Sequence, residues 1–233
     1  MSFVELIPWK TREMEILARA FLSHKKLILI RAPAGMGKTS VAAAYLVSKA
    51  IIGARGAIFL RTRSEVEHTL KILENIIERM DSDLLVVPTP SKQDFCVVRP
   101  GVPLIKYWCP ASDCDRMRRR QYSDVEQLLR GKVYTDFDSY LRIMSTGRRC
   151  PYQICQELLG RADIIVGTHP YFIHPDLFKR MGKLDLVVID EAHNLIGITT
   201  YEGDQRCVEE GKIVAEEALE NGYPIHKYVV RLW

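Results

Sequence analysis

The chain has 233 residues, a hydrophobic content of 47% and a formal net charge of +4, an ordinary composition for a globular domain. Its first residues, MSFVELIPWKTREME, meet charge early and do not fit a secretory signal peptide, and no apolar run approaches the ~20 residues of a membrane span. We therefore expect an intracellular protein, cytoplasmic or, in a eukaryote, nuclear. In such a reducing compartment cysteines more often bind metals or act in catalysis than form disulfides.

The first predicted elements enclose a glycine-rich loop. Residues 26–32, KLILIRA, predict a short β-strand, and KTSVAAAYLVSKA predicts the helix that follows. Between them, residues 32–40 read APAGMGKTS, and this strand, loop and helix order is typical of a phosphate-binding loop. The residues predicted to bind the phosphates of ATP are Ala34, Gly35, Met36, Gly37, Lys38, Thr39 and Ser40.

Each residue type in this loop has a chemical reason. Gly35 and Gly37 let backbone amides turn toward an anion, and the following helix adds the positive end of its dipole. Lys38 is expected to reach the β- and γ-phosphates, and the Thr39 hydroxyl is expected to bind Mg²⁺. The pattern usually begins with Gly, and Ala32 stands at that position.

Further along the chain, apolar runs alternate with helical patterns. GAIFL, DLLVV, ADIIVGT and LDLVVIDEAH predict buried strands, SEVEHTLKILENIIERM predicts an amphipathic helix, and YFIHPDLFKRM predicts a loop with a short helix. Strands that are apolar throughout and are separated by helices imply a parallel sheet covered on both faces. The predicted fold class is therefore α/β.

The strand LVVIDEAH ends in two carboxylates, which is the expected second half of a nucleotide site. Asp190 is predicted to hold Mg²⁺, and Glu191 to position and deprotonate the attacking water. His193 is included among the catalytic candidates, either to couple the site to neighbouring elements or to cap the next turn. His169 and His174 are expected to pack or to form local hydrogen bonds.

Residues 89–160 interrupt this pattern and are interpreted as an insertion. Residues 92–150 carry twelve Lys/Arg against seven Asp/Glu, a net +5, whereas the rest of the chain has 21 against 22. Aromatic residues lie among these cations, as on a surface for single-stranded nucleic acid. The alternative is a solvated surface with some aromatic residues in the core. The aromatic residues are Phe95, Tyr107, Trp108, Tyr122, Tyr134, Phe137 and Tyr140.

Several motifs together resemble the xeroderma pigmentosum group D helicase family, the iron–sulfur branch of superfamily 2 DNA helicases. They are the phosphate loop, FLRTRSE, the cysteine insertion, RRCPY, THPYFI and DEAHNL. The resemblance implies a RecA-like motor domain interrupted by a 4Fe-4S insertion, and ATP-dependent 5′ to 3′ unwinding in DNA repair. By motif position, the cluster ligands would be Cys96, Cys109, Cys114 and Cys150.

The resemblance also implies DNA contacts. Arg61 would bind strand phosphates, Thr62 would donate a hydroxyl, and Tyr171 would support or stack on the strand. One departure is Lys10, which stands near where family members often carry a glutamine that reads adenine. The expected partners are single-stranded DNA and a duplex fork, with no membrane, and the protein is expected to be a monomer.

Two alternatives remain open from the sequence. A zinc site could use Cys109, Cys114, Cys150 and Cys155 and leave Cys96 free. The chain could also be a nucleotide-responsive DNA-binding scaffold with a structural zinc and no motor activity. Cys155 and Cys207 are otherwise expected to be ordinary thiols.

The predicted domain organisation has four parts. Residues 1–88 begin the motor domain, 89–160 form the cluster insertion, 161–195 complete the motor domain, and 196–233 begin an arch-like helical insertion. Within the last part, RCVEEGKIVAEEALENG predicts an amphipathic helix. Because the second motor domain and its arginine finger are absent, the chain alone is expected to bind nucleotide weakly, hydrolyse it poorly and not unwind DNA.

Overall fold

The computed structural model describes residues 3–7, 9–23, 26–89, 91–97, 123–146 and 149–197. Within this part of the chain, four parallel strands form one sheet in the order β2-β3-β1-β4. The strands are β1 Gly56–Leu60, β2 Val86–Pro88, β3 Ile164–Thr168 and β4 Leu186–Ile189. All five residues of β1 are buried, and the predicted α/β class with a parallel sheet is confirmed.

Helices cover the sheet and connect its strands. A short 3₁₀ helix, Phe3–Leu6, precedes the α-helices. The α-helices in the described residues are α1 Arg12–Phe21, α2 Lys38–Ile51, α3 Arg63–Met80, α4 Lys92–Phe95, α5 Ser123–Leu129, α6 Phe137–Met144, α7 Pro151–Leu159, α8 His169–Ile173, α9 Pro175–Lys179 and α10 Asn194–Gly197. Over the residues described, no helix is both long enough and apolar enough to cross a membrane.

Helix α3 shows how local sequence sets an element and its orientation. Thr62 caps its first turn in a reciprocal capping box with Glu65, which satisfies amides that have no partner inside the helix. The apolar stripe predicted from the sequence is buried, as Val66, Leu70 and Ile77 illustrate. Asp81 ends the helix in the left-handed conformation. The helix therefore starts at the carboxyl end of β1 and packs along the sheet.

The predicted strand at residues 26–32 is wrong. The segment has no strand conformation, and the side chains of Leu27 and Leu29 are 75% and 87% exposed. A strand requires a neighbour that accepts and donates its backbone hydrogen bonds. No strand in the described residues pairs with this segment, so its apolar composition alone does not produce a strand.

The described parts of the insertion pack directly against β2. The Tyr140 hydroxyl on α6 donates to the carbonyl of Val86 at 3.2 Å, and the Cys155 thiol on α7 donates to the carbonyl of Pro88 at 3.1 Å. Described residues up to Glu191 form one compact unit, and a second unit begins at Ala192. Helices α6 and α7 therefore share the core of the sheet.

Several aromatic residues of the insertion belong to this core. Phe95, Phe137 and Tyr140 are buried, and Tyr134 packs edge-on against Tyr140 with 5.4 Å between ring centroids. The expectation that these rings interleave with cations on a surface is therefore wrong, and the alternative of core aromatics is confirmed for them. The remaining three rings, Tyr107, Trp108 and Tyr122, lie outside the described residues, as does the predicted helix after residue 205.

Candidate functional site

The candidate residues converge because parallel strands present all their carboxyl ends at one edge of a sheet. Arg61 and Thr62 follow β1, His169 follows β3, and Asp190 follows β4. The phosphate loop reaches the same edge, since Thr39 in the first turn of α2 contacts Asp190. Residues separated by up to 151 positions in the sequence are thus assembled on one side of the domain.

Both glycines of the predicted phosphate loop have a left-handed backbone. Gly35 and Gly37 have φ angles of +80° and +77°, a left-handed conformation that L-amino acids with a side chain rarely adopt. Gly37 immediately precedes α2 and packs against Met14 of α1, because a Cβ at this position would lie 2.3 Å from the Met14 Cε. Helix α1 therefore lies against the loop, and Lys10 is exposed just before the Thr11 cap of that helix.

Lys38 folds back over the loop. Its Nζ donates to the carbonyl of Ala32 at 3.0 Å and to that of Pro33 at 3.2 Å. These bonds hold the ammonium beside the loop. Of the other loop residues, Ser40 is buried in α2, whereas Ala34 and Gly35 are exposed.

Thr39 and Asp190 form the direct link between the two motifs. The Thr39 hydroxyl donates to Asp190 Oδ2 at 2.5 Å. A threonine hydroxyl and a carboxylate are oxygen ligands of the kind Mg²⁺ prefers, and this ion usually keeps several waters and takes its other ligands from substrate phosphates. The pair therefore fits a Mg²⁺ site shared with a nucleotide, even though the described residues contain no cluster of three or more acidic, His or Cys side chains.

The carboxylate segment after β4 is held tightly in place. The Asp190 amide donates to the carbonyl of Phe59 at 2.9 Å, and the Glu191 amide donates to Asp190 Oδ1 at 3.0 Å. Glu191 has φ +51°, which is uncommon for a residue with a side chain. His193 belongs to the second unit and is exposed, with its Nε2 3.3 Å from the Asn194 amide nitrogen.

The predicted DNA-contacting residues differ in their exposure. Arg61 is exposed, and among the residues described its guanidinium makes no hydrogen bond or ion pair. The Thr62 hydroxyl instead accepts from the Glu65 amide at 3.3 Å and lies 3.2 Å from Ser64 Oγ, so it caps α3. The amides of Arg61 and Thr62 both donate to the Glu65 carboxylate at 2.9 Å. Arg61 is thus fixed by its backbone while its side chain faces solvent.

Tyr171 is only 6% exposed, and its hydroxyl accepts from the Gln156 amide at 3.4 Å. Burial raises the pKa of the Tyr171 phenol. This placement favours the predicted supporting role over stacking on a strand.

Sequence reasoning did not find the long-range role of His169. The side chain is 2% exposed, and its Nε2 lies 2.9 Å from the backbone carbonyl oxygen of Asp190. The expected local bond is therefore replaced by one to a residue 21 positions away. No sequence signal predicts it, because the contact crosses the end of β1, which lies between β3 and β4.

The cysteines separate into two environments. Cys96, directly after α4, and Cys150, the residue that precedes α7, are half-buried. Cys155 is completely buried and bonded to the Pro88 carbonyl, and burial raises the pKa of its thiol. Cys109, Cys114 and Cys207 lie outside the described residues.

Comparison with protein-family models shows which family the chain belongs to. The DEAD_2 family model matches residues 58–206, more than half of the chain. The chain belongs to the DEAD_2 family. The match starts within β1 and includes FLRTRSE, the cysteine insertion, THPYFI and DEAHNL, whereas the phosphate loop precedes it.

Curated relatives of this DEAD_2 chain are helicases. It is 27% identical over 240 residues to the general transcription and DNA repair factor IIH helicase subunit XPD of Arabidopsis thaliana, which covers 88% of this chain and 30% of that protein. It is 22% identical over 147 residues to a regulator of telomere elongation helicase 1 homolog of Culex quinquefasciatus, covering 58% and 15%. The chain thus spans less than a third of the length of either relative.

Proposed function

We propose that this chain is the first motor domain of an ATP-dependent DNA helicase that unwinds 5′ to 3′ and acts in DNA repair. The observation that carries the proposal is the contact between the Thr39 hydroxyl and the Asp190 carboxylate, which joins the phosphate loop to the acidic strand end. The helicase relatives favour this activity over other uses of a nucleotide site.

The residues divide the chemistry between them. The loop amides and Lys38 would hold the β- and γ-phosphates, and Thr39 with Asp190 would bind Mg²⁺, which neutralises phosphate charge when bound. Glu191 would orient the attacking water and accept its proton. An arginine finger from a second motor domain would complete charge stabilisation, so we expect the isolated chain to hydrolyse ATP slowly.

The DNA side of the proposal rests on Arg61. Its exposed guanidinium lies just before α3, and its backbone is held there because the Arg61 amide donates to the Glu65 carboxylate. Phosphate contacts are made to the DNA backbone rather than to base edges, so binding should be insensitive to sequence and sensitive to salt.

The test of the motor proposal is Lys38→Ala in the longest natural polypeptide that contains this sequence. We expect DNA-stimulated ATP hydrolysis and unwinding to fall at least ~100-fold, because a preorganised cation on the phosphates is lost. Lys49→Ala is the matched control, since Lys49 lies on the same helix and its ammonium lies over the Tyr45 ring, 5.2 Å from the centroid, away from the loop. If Lys38→Ala hydrolysed ATP and unwound DNA like the wild type, the proposed role of Lys38 would be wrong. If the wild type itself neither hydrolysed ATP nor unwound DNA, the motor proposal would be wrong and the scaffold alternative would stand.

We further propose that the insertion carries a 4Fe-4S cluster on Cys96, Cys109, Cys114 and Cys150. Cys150 is half-buried at the N-cap position of α7, and the positive end of this helix stabilises a thiolate there. The rival zinc set requires Cys155, whose thiol is buried and committed to the Pro88 carbonyl. This placement favours the set that contains Cys96.

Metal analysis separates the two proposals. Protein purified anaerobically should be brown and contain about four iron and four sulfide per chain. Cys96→Ser should abolish the colour under the iron–sulfur proposal and leave zinc unchanged under the rival. Colourless wild-type protein with one zinc per chain would contradict the cluster.

A further inference from the structure

Three groups of Asp190 make hydrogen bonds: its carboxylate, its amide and its carbonyl. Its carboxylate accepts from Thr39 and from the Glu191 amide, its amide donates to Phe59, and its carbonyl oxygen lies 2.9 Å from His169 Nε2. A carbonyl oxygen can only accept, so the His169 Nε2 must carry the proton and donate it. His169 therefore acts as the hydrogen-bond donor through Nε2.

This last bond fixes a specific peptide plane. The Asp190 carbonyl and the Glu191 amide belong to the same planar unit, which cannot rotate at one end without rotating at the other. His169 holds the oxygen of this unit, and Asp190 Oδ1 holds its nitrogen. The orientation of the plane sets φ of the next residue, Glu191.

The conformation of Glu191 needs such support. A φ of +51° is unfavourable for a residue with a side chain and persists only where surrounding contacts determine it. His169 is well suited to supply that contact, because it is 2% exposed and its backbone is fixed at the junction of β3 and α8. A buried donor on a rigid junction has little freedom to release the carbonyl.

We propose that His169 is a positioning residue that locks the Asp190–Glu191 peptide and thereby aims the Glu191 carboxylate at the attacking water. This inference rests on the proposed function for its catalytic consequence. It also gives the THPYFI segment a second task, since α8 begins at His169 and carries Tyr171 two residues later. A displacement of α8 would then be transmitted to Glu191 through one hydrogen bond.

The experiment compares His169→Leu, which cannot donate, with His169→Gln, whose side-chain amide places a donor near the position of Nε2. Tyr140→Phe is the matched control, because it also removes a buried donor to a sheet carbonyl, that of Val86. Amide hydrogen exchange at Glu191 is measured by mass spectrometry in this chain. The kcat and KM for ATP are measured in the longest natural polypeptide that contains it.

In His169→Leu we expect exchange at Glu191 to accelerate about tenfold and kcat to fall about tenfold, the value of one buried hydrogen bond, with little change in KM. His169→Gln should recover most of both, and Tyr140→Phe should change neither. Unchanged exchange in His169→Leu, or equal acceleration in Tyr140→Phe, would overturn the inference. If wild type and Lys38→Ala are equally inactive, the proposed function fails, and the exchange data still decide whether His169 locks the peptide.

Discussion

Gly35 and Gly37 share a left-handed backbone but differ in their surroundings. A Cβ on Gly35 would meet no atom within 4 Å, whereas one on Gly37 would lie 2.3 Å from Met14 Cε and 2.9 Å from Met14 Cγ. The two glycines therefore separate the cost of an unfavourable φ from the cost of a steric clash. Of the two glycines, Gly37 is the one that packs against α1.

This difference predicts unequal effects of the same substitution. Gly35→Ala should lower the free energy of unfolding by about 1 kcal/mol through backbone strain, and Gly37→Ala by about 2–4 kcal/mol because overpacking against Met14 adds to it. Urea unfolding with unchanged m-values measures both. In the double variant Gly37→Ala/Met14→Ala the clash is gone. Its loss of unfolding free energy should therefore equal the loss in Gly35→Ala plus the loss in Met14→Ala. Equal losses in the two single variants would contradict the predicted contact.

Sequence patterns predicted the candidate site residues that belong to contiguous motifs. The structure brings Thr39 to Asp190 and folds Lys38 over the loop, because the order of loop, helix and strand end fixes their positions locally, while their roles stay predictions. His169 was not identified, since its partner depends on which strands are neighbours in the sheet. The capping role of Thr62 was available in TRSE, a Thr followed three residues later by Glu.

At the scale of secondary-structure elements, Arg55 joins two connecting segments, that between α7 and β3 and that between α9 and β4, near the amino end of β1. Its guanidinium donates to the carbonyls of Leu159, Ala162, Met181 and Lys183 at 2.8 to 3.1 Å. The Leu159 carbonyl ends α7, and the Ala162 carbonyl lies between α7 and β3. The Met181 and Lys183 carbonyls lie between α9 and β4. One planar side chain with five donors thus satisfies backbone acceptors that the connecting loops leave unpaired.

Arg55→Lys should therefore be strongly destabilising despite keeping the charge. An ammonium cannot match the fork geometry, so we expect a loss of roughly 2–4 kcal/mol in unfolding free energy as several carbonyls lose their partner. Arg79→Ala serves as a comparison, because Arg79 makes one 3.5 Å contact to the Leu6 carbonyl and should cost under about 1 kcal/mol. Thermal and urea unfolding of the two variants check the prediction, and similar losses would refute it.

Element prediction succeeded where local signals and tertiary partners agreed. Helix α3 combines a capping box with an apolar stripe, and both are present in the structure. Helix α1 was not predicted, although Thr11 precedes an apolar stripe that includes Met14, Leu17 and Ala18. At residues 26–32 a strand was predicted but is not present, because no strand among the described residues pairs with this segment.

At the scale of the whole domain, helices α6 and α7 cover the outer edge of β2. Within the described sheet β2 is an edge strand, and its outer carbonyls at Val86 and Pro88 accept from Tyr140 and Cys155. An uncovered edge would leave these groups open to pairing with another chain. The division predicted at residue 89 is therefore one of sequence pattern, because α6 and α7 pack in the same core as the sheet.

The role of Cys155 in this packing leads to a prediction that distinguishes structural from metal-binding cysteines. Because burial raises the pKa of its thiol, the group stays protonated at neutral pH, and a protonated thiol is not a metal ligand. Cys155→Ala should keep the full metal content per chain and lower the free energy of unfolding by about 1–2 kcal/mol.

Cys150→Ala is the matched comparison, since Cys150 lies five residues away at the start of the same helix and is half-buried. It should lose the metal, and with it the visible absorbance expected of the proposed iron–sulfur cluster. Atomic absorption on both variants decides the matter. Joint loss of metal would move Cys155 into the ligand set and would require α7 to release the Pro88 carbonyl, which the buried hydrogen bond opposes.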